Sequence, residues 1–443
     1  MNEKDLHPPE FTDDTNFTEC NDILEELEKI SKAEEATEDF NNSELIVSRN
    51  CRYPLNDIKS KLNNNVLVVG GSGTGKTRTV VTPNIYQAVG SFVISDPKGN
   101  LYKKFGRYLE KKGYRTLVVD FTHPERSAHY NPMTAVRSHR DILKMAELIV
   151  DKRASLNSRA DPFWDNANIL MVTALIAYMV ETKMKMNFQT FLKLFREGLR
   201  GDIDEPEDSP LAHRFKALKR QNPNSWACSQ YENANMGTGR TYSSIMITLA
   251  SKFAYYDTPE LRKMMNGNDF DLASIGQEKT AVFVVVSDTD RSMDGLANLF
   301  FTQAMNALCE YADEECENSR LPIPVRFILD DFATNVHIDE FPRMIASIRS
   351  RAISVMLMIQ AESQLFQGYE EDGKTIISNC DTYVYLGGND PDTALTVSDR
   401  LNKALGKVLY MPVGECVVFR RGSQPVYDTT VDPVEYIREM EMC

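Results

Sequence analysis

Residues 70–77 read GGSGTGKT, a glycine-rich run that ends in a lysine and a threonine. Glycines let the backbone wrap tightly and turn its N–H groups onto phosphate oxygens. The apolar run VLVVG precedes the loop and a helical segment follows it, which is the context that a phosphate-binding loop requires. In such a loop the lysine reaches the β- and γ-phosphates of a nucleotide, and the hydroxyl binds Mg²⁺. We therefore expect a nucleotide site formed by Gly70, Gly71, Ser72, Gly73, Thr74, Gly75, Lys76 and Thr77.

Two adjacent carboxylates, Asp330 and Asp331, follow the apolar run FIL. Burying such a pair is costly unless a cation or a proton meets it. A phosphate-binding loop needs an aspartate at the end of an adjacent strand, so we predict that Asp330 and Thr77 hold Mg²⁺. Asp331 would then orient and deprotonate the attacking water. The alternative is that both aspartates cap a helix formed by the residues that follow, FATNVHIDEFPRM.

Other polar residues also stand where predicted strands end. Gln360 ends the run ISVMLMIQ, which we expect beside the Asp330 strand, so that its amide could touch the γ-phosphate or the water. Arg349 lies between these two strands and could reach the γ-phosphate of a neighbouring subunit, although a solvated arginine is the simpler interpretation. Asp96 and Lys98 follow another strand, either at a ligand-binding edge or in a plain turn.

Short apolar runs rich in β-branched residues alternate with helical segments from residue 65 onward. Continuous Val, Ile and Leu runs are typical of strands that are buried on both faces of a parallel sheet. The alternation predicts a doubly wound α/β fold. The predicted strands are 66–70, 91–96, 115–120, 280–288, 325–331, 353–359, 382–387 and 416–421.

The middle of the chain has a different pattern. Residues 133–235 carry apolar residues at three- and four-residue spacing, which predicts an all-α domain inserted between two parts of the α/β domain, 49–132 and 236–443. The most apolar stretch, ANILMVTALIAYMV (167–180), is too short to span a bilayer. We interpret it as a core helix and expect no integral membrane segment.

Charge is distributed unevenly over the 443 residues. Residues 1–48 contain 15 Asp and Glu against three Lys, a net charge of −12 within a total of −14, which leaves −2 for the rest. We predict that this acidic arm is mostly disordered, with one amphipathic helix as an alternative in its second half. The eight cysteines form no CxxC pair, which argues against a zinc site and fits a reducing cytosol.

Several linked motifs resemble one known family, the type IV secretion coupling proteins of the TraG/TraD class. The resemblance covers residues 60–425, and the chain looks like a soluble form without the usual N-terminal membrane anchor. It implies a RecA-like α/β fold with a mostly parallel sheet and an inserted all-α domain. The motifs are NVLVVGGSGTGKTRTVVTPNI, SFVISDPKGNLYKKFGRYLEKKGYRTLVVDF, YNPM, DPFWDNANILMVTALIAYM, LDDFAT, IRSRAISVMLMIQAESQL and CDTYVYLGGND.

The resemblance also implies roles for individual residues. Lys76 and Thr77 would form the Walker A pair, Asp330 and Asp331 the Walker B pair, and Gln360 a sensor. The arginine that acts across a subunit boundary in related motors falls on Arg349. The chain departs from the family pattern because Asp331 stands where glutamate is common and Thr334 where asparagine is usual, and because the segment before the last strand is shorter.

The implied activity is ATP hydrolysis coupled to the delivery of a relaxase–DNA complex, or of protein substrates, to a conjugative secretion channel. The implied partners are ATP, Mg²⁺, further copies of the chain in a hexamer, the relaxosome, DNA and channel components. We expect the protein in the cytoplasm or peripherally at the cytoplasmic face of the membrane, which it would contact only indirectly. Two alternatives remain: a nucleotide-binding cargo adaptor with little or no hydrolysis, and a DNA pump of the chromosome-segregation class.

Overall fold

The computed structural model describes residues 31–150, 162–200, 208–236, 239–334 and 336–442. Nine strands form one sheet, in the order β11-β10-β9-β3-β8-β7-β4-β6-β5, and β1 and β2 form a separate hairpin. All pairings in the large sheet are parallel except those of β10 with β9 and β11. The strands are β1 Glu44–Ile46, β2 Arg52–Pro54, β3 Val66–Val69, β4 Ser91–Ser95, β5 Arg115–Asp120, β6 Thr280–Val285, β7 Val325–Leu329, β8 Ile353–Ile359, β9 Thr382–Tyr385, β10 Glu415–Arg420 and β11 Val426–Thr429.

The eight strands predicted from apolar runs are all present in the mostly parallel sheet, which confirms the predicted α/β class. The central strand β3 shows why such runs predict it. Its residues alternate between the two faces of the sheet: Leu67 and Val69 pack into one apolar cluster, and Val66 and Val68 into another. Both faces of the sheet are therefore covered, and the carboxyl ends of the parallel strands meet at one edge.

Helices cover both faces of the sheet. The helix over residues 31–42 is α1. A π-turn, Thr77–Val81, leads directly into α3. The remaining helices are α2 Asp57–Ser60, α3 Thr82–Tyr86, α4 Asn100–Lys111, α5 His139–Val150, α6 Pro162–Glu181, α7 Phe188–Gly198, α8 Pro210–Gln221, α9 Trp226–Ala234, α10 Gly239–Ala254, α11 Pro259–Met264, α12 Asp294–Glu315, α13 Phe341–Ile345, α14 Ser363–Tyr369, α15 Gly373–Ser378, α16 Pro391–Leu401, α17 Leu405–Leu409 and α18 Pro433–Met442.

The helical segment between β5 and β6 extends beyond the predicted boundary at residue 235. It includes α10 and α11, because α10 buries Ile245 and Leu249 four residues apart on one face. The serine- and threonine-rich sequence of α10 conceals this pattern. One continuous apolar cluster joins these helices to one face of the sheet, so the helical segment shares its core with the strands.

The arm differs from the prediction of a mostly disordered segment over residues 31–48. Residues 31–42 form α1, which buries Ala36 and Phe40. The Phe40 ring lies 5.9 Å from the guanidinium carbon of Arg326, and Thr37 donates a hydrogen bond to the carbonyl of Pro322. Ala36 and Phe40, spaced four apart, therefore dock an otherwise acidic helix together with the hydrogen bond of Thr37. Residues 1–30 of the arm lie outside the described residues.

Within the described part of the chain, one helix is long and apolar enough to cross a membrane by length and composition. It spans Phe163–Glu181, and 67% of its apolar window is buried inside the fold. Burial of this kind is typical of a core helix, because a membrane helix turns its apolar surface to lipid.

Candidate nucleotide site

The glycine-rich loop joins the carboxyl end of β3 to the start of the π-turn at Thr77. Gly73 and Gly75 have φ angles of +80° and +91°, in the left-handed region that glycine adopts without strain. Ser72 and Gly73 are exposed, so the crest of the loop faces solvent. The loop therefore has the position and the backbone conformation that the sequence predicts for a phosphate cradle.

The Lys76 side chain is folded over this loop. Its Nζ donates hydrogen bonds to the carbonyl of Gly70 at 2.6 Å and to that of Gly71 at 3.2 Å, and the residue is buried. Burial lowers the pKa of Lys76, while the nearby carboxylates of Asp331 and Asp330 act in the opposite direction. The amine is thus held directly above the loop by acceptors that anionic phosphates can replace.

Asp330 lies at the end of β7 and meets the first residue of the helix that follows the loop. The Thr77 hydroxyl donates a 2.5 Å hydrogen bond to Asp330 Oδ2. The two groups meet although the predicted adjacency of their strands is wrong, since β8 lies between β3 and β7. The contact is made across β8 because Thr77 and Asp330 both lie beyond the carboxyl ends of their strands.

Burial raises the pKa of Asp330, opposed by the hydrogen bond from Thr77, and the neighbouring Asp331 carboxylate raises it further. The positive charge of the nearby Lys76 lowers it, although no ion pair among the described residues includes Asp330. A hydroxyl and a carboxylate oxygen are both ligands that Mg²⁺ accepts, and Mg²⁺ often binds through one carboxylate together with substrate phosphates. The donor set therefore fits Mg²⁺.

Asp331 adopts a left-handed backbone conformation, with φ +49°. This conformation is uncommon for a residue with a side chain and recurs at functional sites. The Asp331 carboxylate is half-buried, and its negative charge favours the protonated forms of both Lys76 and Lys98. Asp331 therefore lies with Asp330 at the carboxyl ends of the strands. Of these two residues, only Asp331 has a left-handed backbone.

Gln360 ends β8, between the loop strand β3 and the Asp330 strand β7, so the predicted pairing of its strand with β7 is confirmed. Its backbone N–H donates to Gln364 Oε1 at 2.7 Å, and Gln364 Nε2 donates to Thr334 Oγ1 at 3.0 Å. Gln364 thus ties the end of β8 to the segment after Asp331. The sequence prediction missed Gln364, although its position four residues after Gln360, near the start of a helix, is a usable signal.

Arg349 lies at the amino ends of the parallel strands, directly before β8, and thus at the other end of the sheet from the phosphate loop. Its Nη2 donates to the Asp57 carbonyl at 2.7 Å, and its Nε lies 3.6 Å from Asp57 Oδ2. Arg320 binds the same carboxylate at 2.5 Å. The structure therefore does not bring Arg349 to the phosphate loop of its own chain.

Asp96 and Lys98 lie near the carboxyl end of β4. Asp96 is buried and accepts the backbone N–H of Tyr102 at 2.9 Å, so it caps the first turn of α4. Lys98 is exposed and pairs with Asp288 at 2.9 Å. The sequence left two interpretations of this segment, a ligand-binding position or a plain turn. The turn explains the hydrogen bond that Asp96 accepts.

A second glycine pair, missed by the sequence prediction, supports the phosphate loop from the β9 side. The Gly71 N–H donates a 2.9 Å hydrogen bond to the carbonyl of Gly387. A Cβ at Gly388 would lie 3.2 Å from the Gly71 nitrogen, so the two backbones approach closely. The signal in the sequence is a double glycine at the end of an apolar strand, YVYLGG.

Comparison with known proteins gives a consistent result. The family model described as "Type IV secretory system Conjugative DNA transfer" matches residues 23–408. The type IV secretion system-coupling protein VirD4 of Bartonella henselae is 21% identical over 390 residues, which is 85% of this chain and 59% of that protein. Protein VirD4 of Agrobacterium fabrum is 23% identical, over 77% of this chain and 49% of that protein. The chain thus spans about half the length of these relatives.

Solved structures share the fold. The bacterial conjugative coupling protein TrwB, lacking its first 70 residues and in complex with sulphate, matches with a TM-score of 0.67 at 16% identity, over 90% of this chain and 91% of the other. TrwB in complex with the non-hydrolysable ATP analogue ADPNP matches with a TM-score of 0.66 at 15% identity, over 89% and 91%. Because the family model covers most of the sequence, the chain belongs to the type IV secretory system conjugative DNA transfer family.

Proposed function

We propose that this chain is an ATP-binding motor of the coupling-protein class, which delivers relaxase-bound DNA or protein substrates to a conjugative secretion channel. The observation that carries the proposal is the hydrogen bond between Thr77 and Asp330, with Lys76 held over the adjacent loop. A buried carboxylate that forms no ion pair among the described residues, beside a phosphate cradle, is the arrangement that a nucleotide with Mg²⁺ would complete. Membership of the conjugative DNA transfer family supports the cargo class.

In this proposal the loop residues Gly70–Thr77 bind the phosphates through backbone N–H groups, and Lys76 exchanges its two carbonyl acceptors for phosphate oxygens. Thr77 and Asp330 would hold Mg²⁺, which would supply positive charge to the phosphates. Asp331 accepts the proton of the attacking water as its oxygen bonds to the γ-phosphorus. The bond to the bridging oxygen then breaks, giving ADP and phosphate. Gln360 orients the water or the γ-phosphate.

We propose further that the active form is a ring, a hexamer by analogy with the family, in which Arg349 acts on the γ-phosphate of the neighbouring subunit. Arg349 lies at the end of the sheet opposite to its own loop, so a catalytic role would have to be across a boundary, and the guanidinium would then exchange its contacts with Asp57 for the neighbouring γ-phosphate. Partners would be the relaxosome, DNA and channel components. The protein would work in the cytoplasm or at the cytoplasmic face of the membrane, bound there through other proteins.

The test is the ATPase rate as a function of protein concentration, with and without DNA. A ring motor should be nearly inactive when dilute and active when assembled, because each site needs its neighbour. Lys76→Ala should remove turnover, while Lys103→Ala, a matched variant at an exposed lysine, should retain it. Turnover by Lys76→Ala at the wild-type rate would overturn the site assignment.

The role of Arg349 can be tested by mixing two inactive variants. Arg349→Ala and Lys76→Ala subunits should each be inactive alone but regain partial turnover when co-assembled. In a mixed ring, an intact loop from one subunit meets an intact arginine from the next. If Arg349→Ala alone retains full turnover, the proposed role across the boundary is wrong.

A second candidate is a nucleotide-binding cargo adaptor with weak or no hydrolysis. The observation in its favour is Asp331, one methylene shorter than the usual glutamate and held at φ +49°. Asp331→Glu separates the candidates. If the variant turns over about tenfold faster than the wild type, the protein is an enzyme with a weakened base. If neither form hydrolyses ATP although both bind it, the adaptor is supported.

A further inference from the structure

The backbone that carries Asp331 forms a strained turn over residues 331–334, which we call the aspartate turn. The Thr334 N–H closes it with a 3.2 Å hydrogen bond to the Asp331 carbonyl. Asp331 and Ala333 both have left-handed backbones, with φ +49° and +65°. Residues with side chains adopt this conformation at a cost in free energy, and it persists only where the surrounding structure holds it. The question is therefore which element holds the aspartate turn.

Helix α14 contacts each of the three residues that follow Asp331. The contacts are the Tyr369 ring stacked on the Phe332 ring with centroids 5.7 Å apart, a Cβ position at Gly368 that lies 3.3 Å from the Ala333 Cβ, and Gln364 Nε2 donating to Thr334 Oγ1 at 3.0 Å. Gln364 and Gly368 are four residues apart, so they lie on the same face of the helix. One face of α14 thus supports the whole turn.

The start of α14 is fixed in turn to the strands of the sheet. Gln364 Oε1 accepts the backbone N–H of Gln360 at 2.7 Å, so a single amide joins the end of β8 to the aspartate turn. The buried Glu362 accepts a 2.8 Å hydrogen bond from the Tyr383 hydroxyl of β9. Its backbone N–H donates to Thr393 Oγ1 at 3.0 Å. The helix is therefore anchored on the β9 side and can hold the turn at a fixed distance from β8.

We propose that Gln364 is a positioning residue for ATP hydrolysis, which fixes the aspartate turn relative to Gln360. The inference rests on the proposed function, in which Asp331 accepts the proton of the attacking water and Gln360 orients the water or the γ-phosphate. A general base must lie within about 2.6–3.2 Å of the atom whose proton it takes. Asp331 is one methylene shorter than a glutamate, so its side chain cannot compensate for a displaced backbone as a glutamate could. Gln364 acts through these two residues and not on the reacting atoms.

The test measures kcat for ATP in the assembled protein together with the affinity for a non-hydrolysable ATP analogue. Gln364→Ala removes both hydrogen bonds of the amide, so kcat should fall about tenfold, because a misplaced base loses part of its effect. The affinity should change by less than about twofold, since Lys76 and the loop bind the phosphates. Gln367→Ala is the matched control, an exposed glutamine on the same helix, and should keep the wild-type kcat.

Variants of Thr334 distinguish positioning from a general loss of stability. Thr334→Val removes the hydroxyl and keeps the shape, so it should lower kcat, whereas Thr334→Ser keeps the hydroxyl and should retain kcat. The double variant Gln364→Ala/Thr334→Val should be no slower than Gln364→Ala alone, because both changes break the same connection. Losses that multiply in the double variant, or an equal loss in Thr334→Ser, would overturn the inference.

Failure of the inference and failure of the proposed function give different results. If the assembled wild type hydrolyses no ATP, the motor fails, and the inference fails with it because there is no step to position. If the wild type is active and Gln364→Ala has the same kcat, the motor stands and the role of Gln364 is wrong. A further measurement needs no turnover: amide hydrogen exchange of residues 331–334 should be faster in Gln364→Ala than in Gln367→Ala, and equal exchange would also overturn the inference.

Discussion

Two aspartates, one at the amino ends and one at the carboxyl ends of the parallel strands, differ in the charged groups around them. At the amino edge, buried Asp57 is held by Arg320 at 2.5 Å and by Arg349 at 3.6 Å. At the carboxyl edge, Asp330 accepts a hydroxyl hydrogen bond, and no lysine or arginine among the described residues forms an ion pair with it. Burial raises its pKa.

The difference shows how a charge that stabilises the fold can be distinguished from one that awaits a ligand. Removing a carboxylate from water is costly, and the fold compensates that cost at Asp57 with two guanidinium groups. At Asp330 the compensation is incomplete within the chain. A cation supplied with a nucleotide would complete it, so the same physical rule explains a structural Asp57 and supports the proposed role of Asp330.

The largest effect should come from Asp330→Asn. The amide keeps the shape of the side chain and an acceptor for the Thr77 hydroxyl, but it is a poor Mg²⁺ ligand. We expect Mg²⁺-dependent ATP turnover to fall by about a hundredfold or more. Steady-state phosphate release measures this, with Asp313→Asn as the control, since Asp313 pairs with Arg351 at the surface. Equal losses in the two variants would show that the effect of Asp330→Asn is not specific to the nucleotide site.

The second effect concerns stability. Asp57→Asn leaves Arg320 and Arg349 without their carboxylate, so the free energy of unfolding should fall by about 2–3 kcal/mol. This loss is smaller than the loss expected for a fully buried ion pair, because both arginine side chains are partly exposed. Urea denaturation measures it, and Asp313→Asn should cost less than about 1 kcal/mol. A loss no larger than that of Asp313→Asn would contradict a structural role for Asp57.

A third, smaller effect is the pH dependence of stability without nucleotide or Mg²⁺. The raised pKa of Asp330 means that the folded state binds a proton more tightly than the unfolded state there. This contribution to stability is therefore present at low pH and is lost as pH rises through the folded-state pKa. At neutral pH, Asp330→Asn should be at least as stable as the wild type, with the difference changing in favour of the wild type on acidification. Thermal unfolding from neutral to acidic pH measures this difference. The prediction is refuted if Asp330→Asn is clearly less stable than the wild type at neutral pH.

The smallest effect should come from Asp331→Gly. Glycine adopts φ +49° without the strain that a side chain adds, so the free energy of unfolding should rise by about 0.5–1 kcal/mol while turnover falls. The same change at Asp57, which has no left-handed backbone, should destabilise the protein. Denaturation curves of the two glycine variants, measured side by side, decide whether the gain at Asp331 comes from its left-handed backbone.

Sequence patterns predicted the elements whose signals are local. Eight strands followed from continuous apolar runs, and the phosphate loop from its glycines and lysine. The strands β1, β2 and β11 were missed, because β1 and β2 are three residues each and β11 has exposed residues at both ends. The end of the helical segment was also missed, since the polar residues of α10 dilute its periodicity.

By itself the sequence determined the α/β class, the loop that can bind phosphates and the presence of two carboxylates at a strand end, because each depends on neighbouring residues. Only the tertiary structure decided that β8 separates β3 from β7, that Thr77 meets Asp330, that Arg349 binds Asp57, and that Gly387 accepts a hydrogen bond from Gly71. These relations join residues 253, 292 and 316 positions apart. Packing of the whole sheet sets such contacts, and no short segment of sequence contains them.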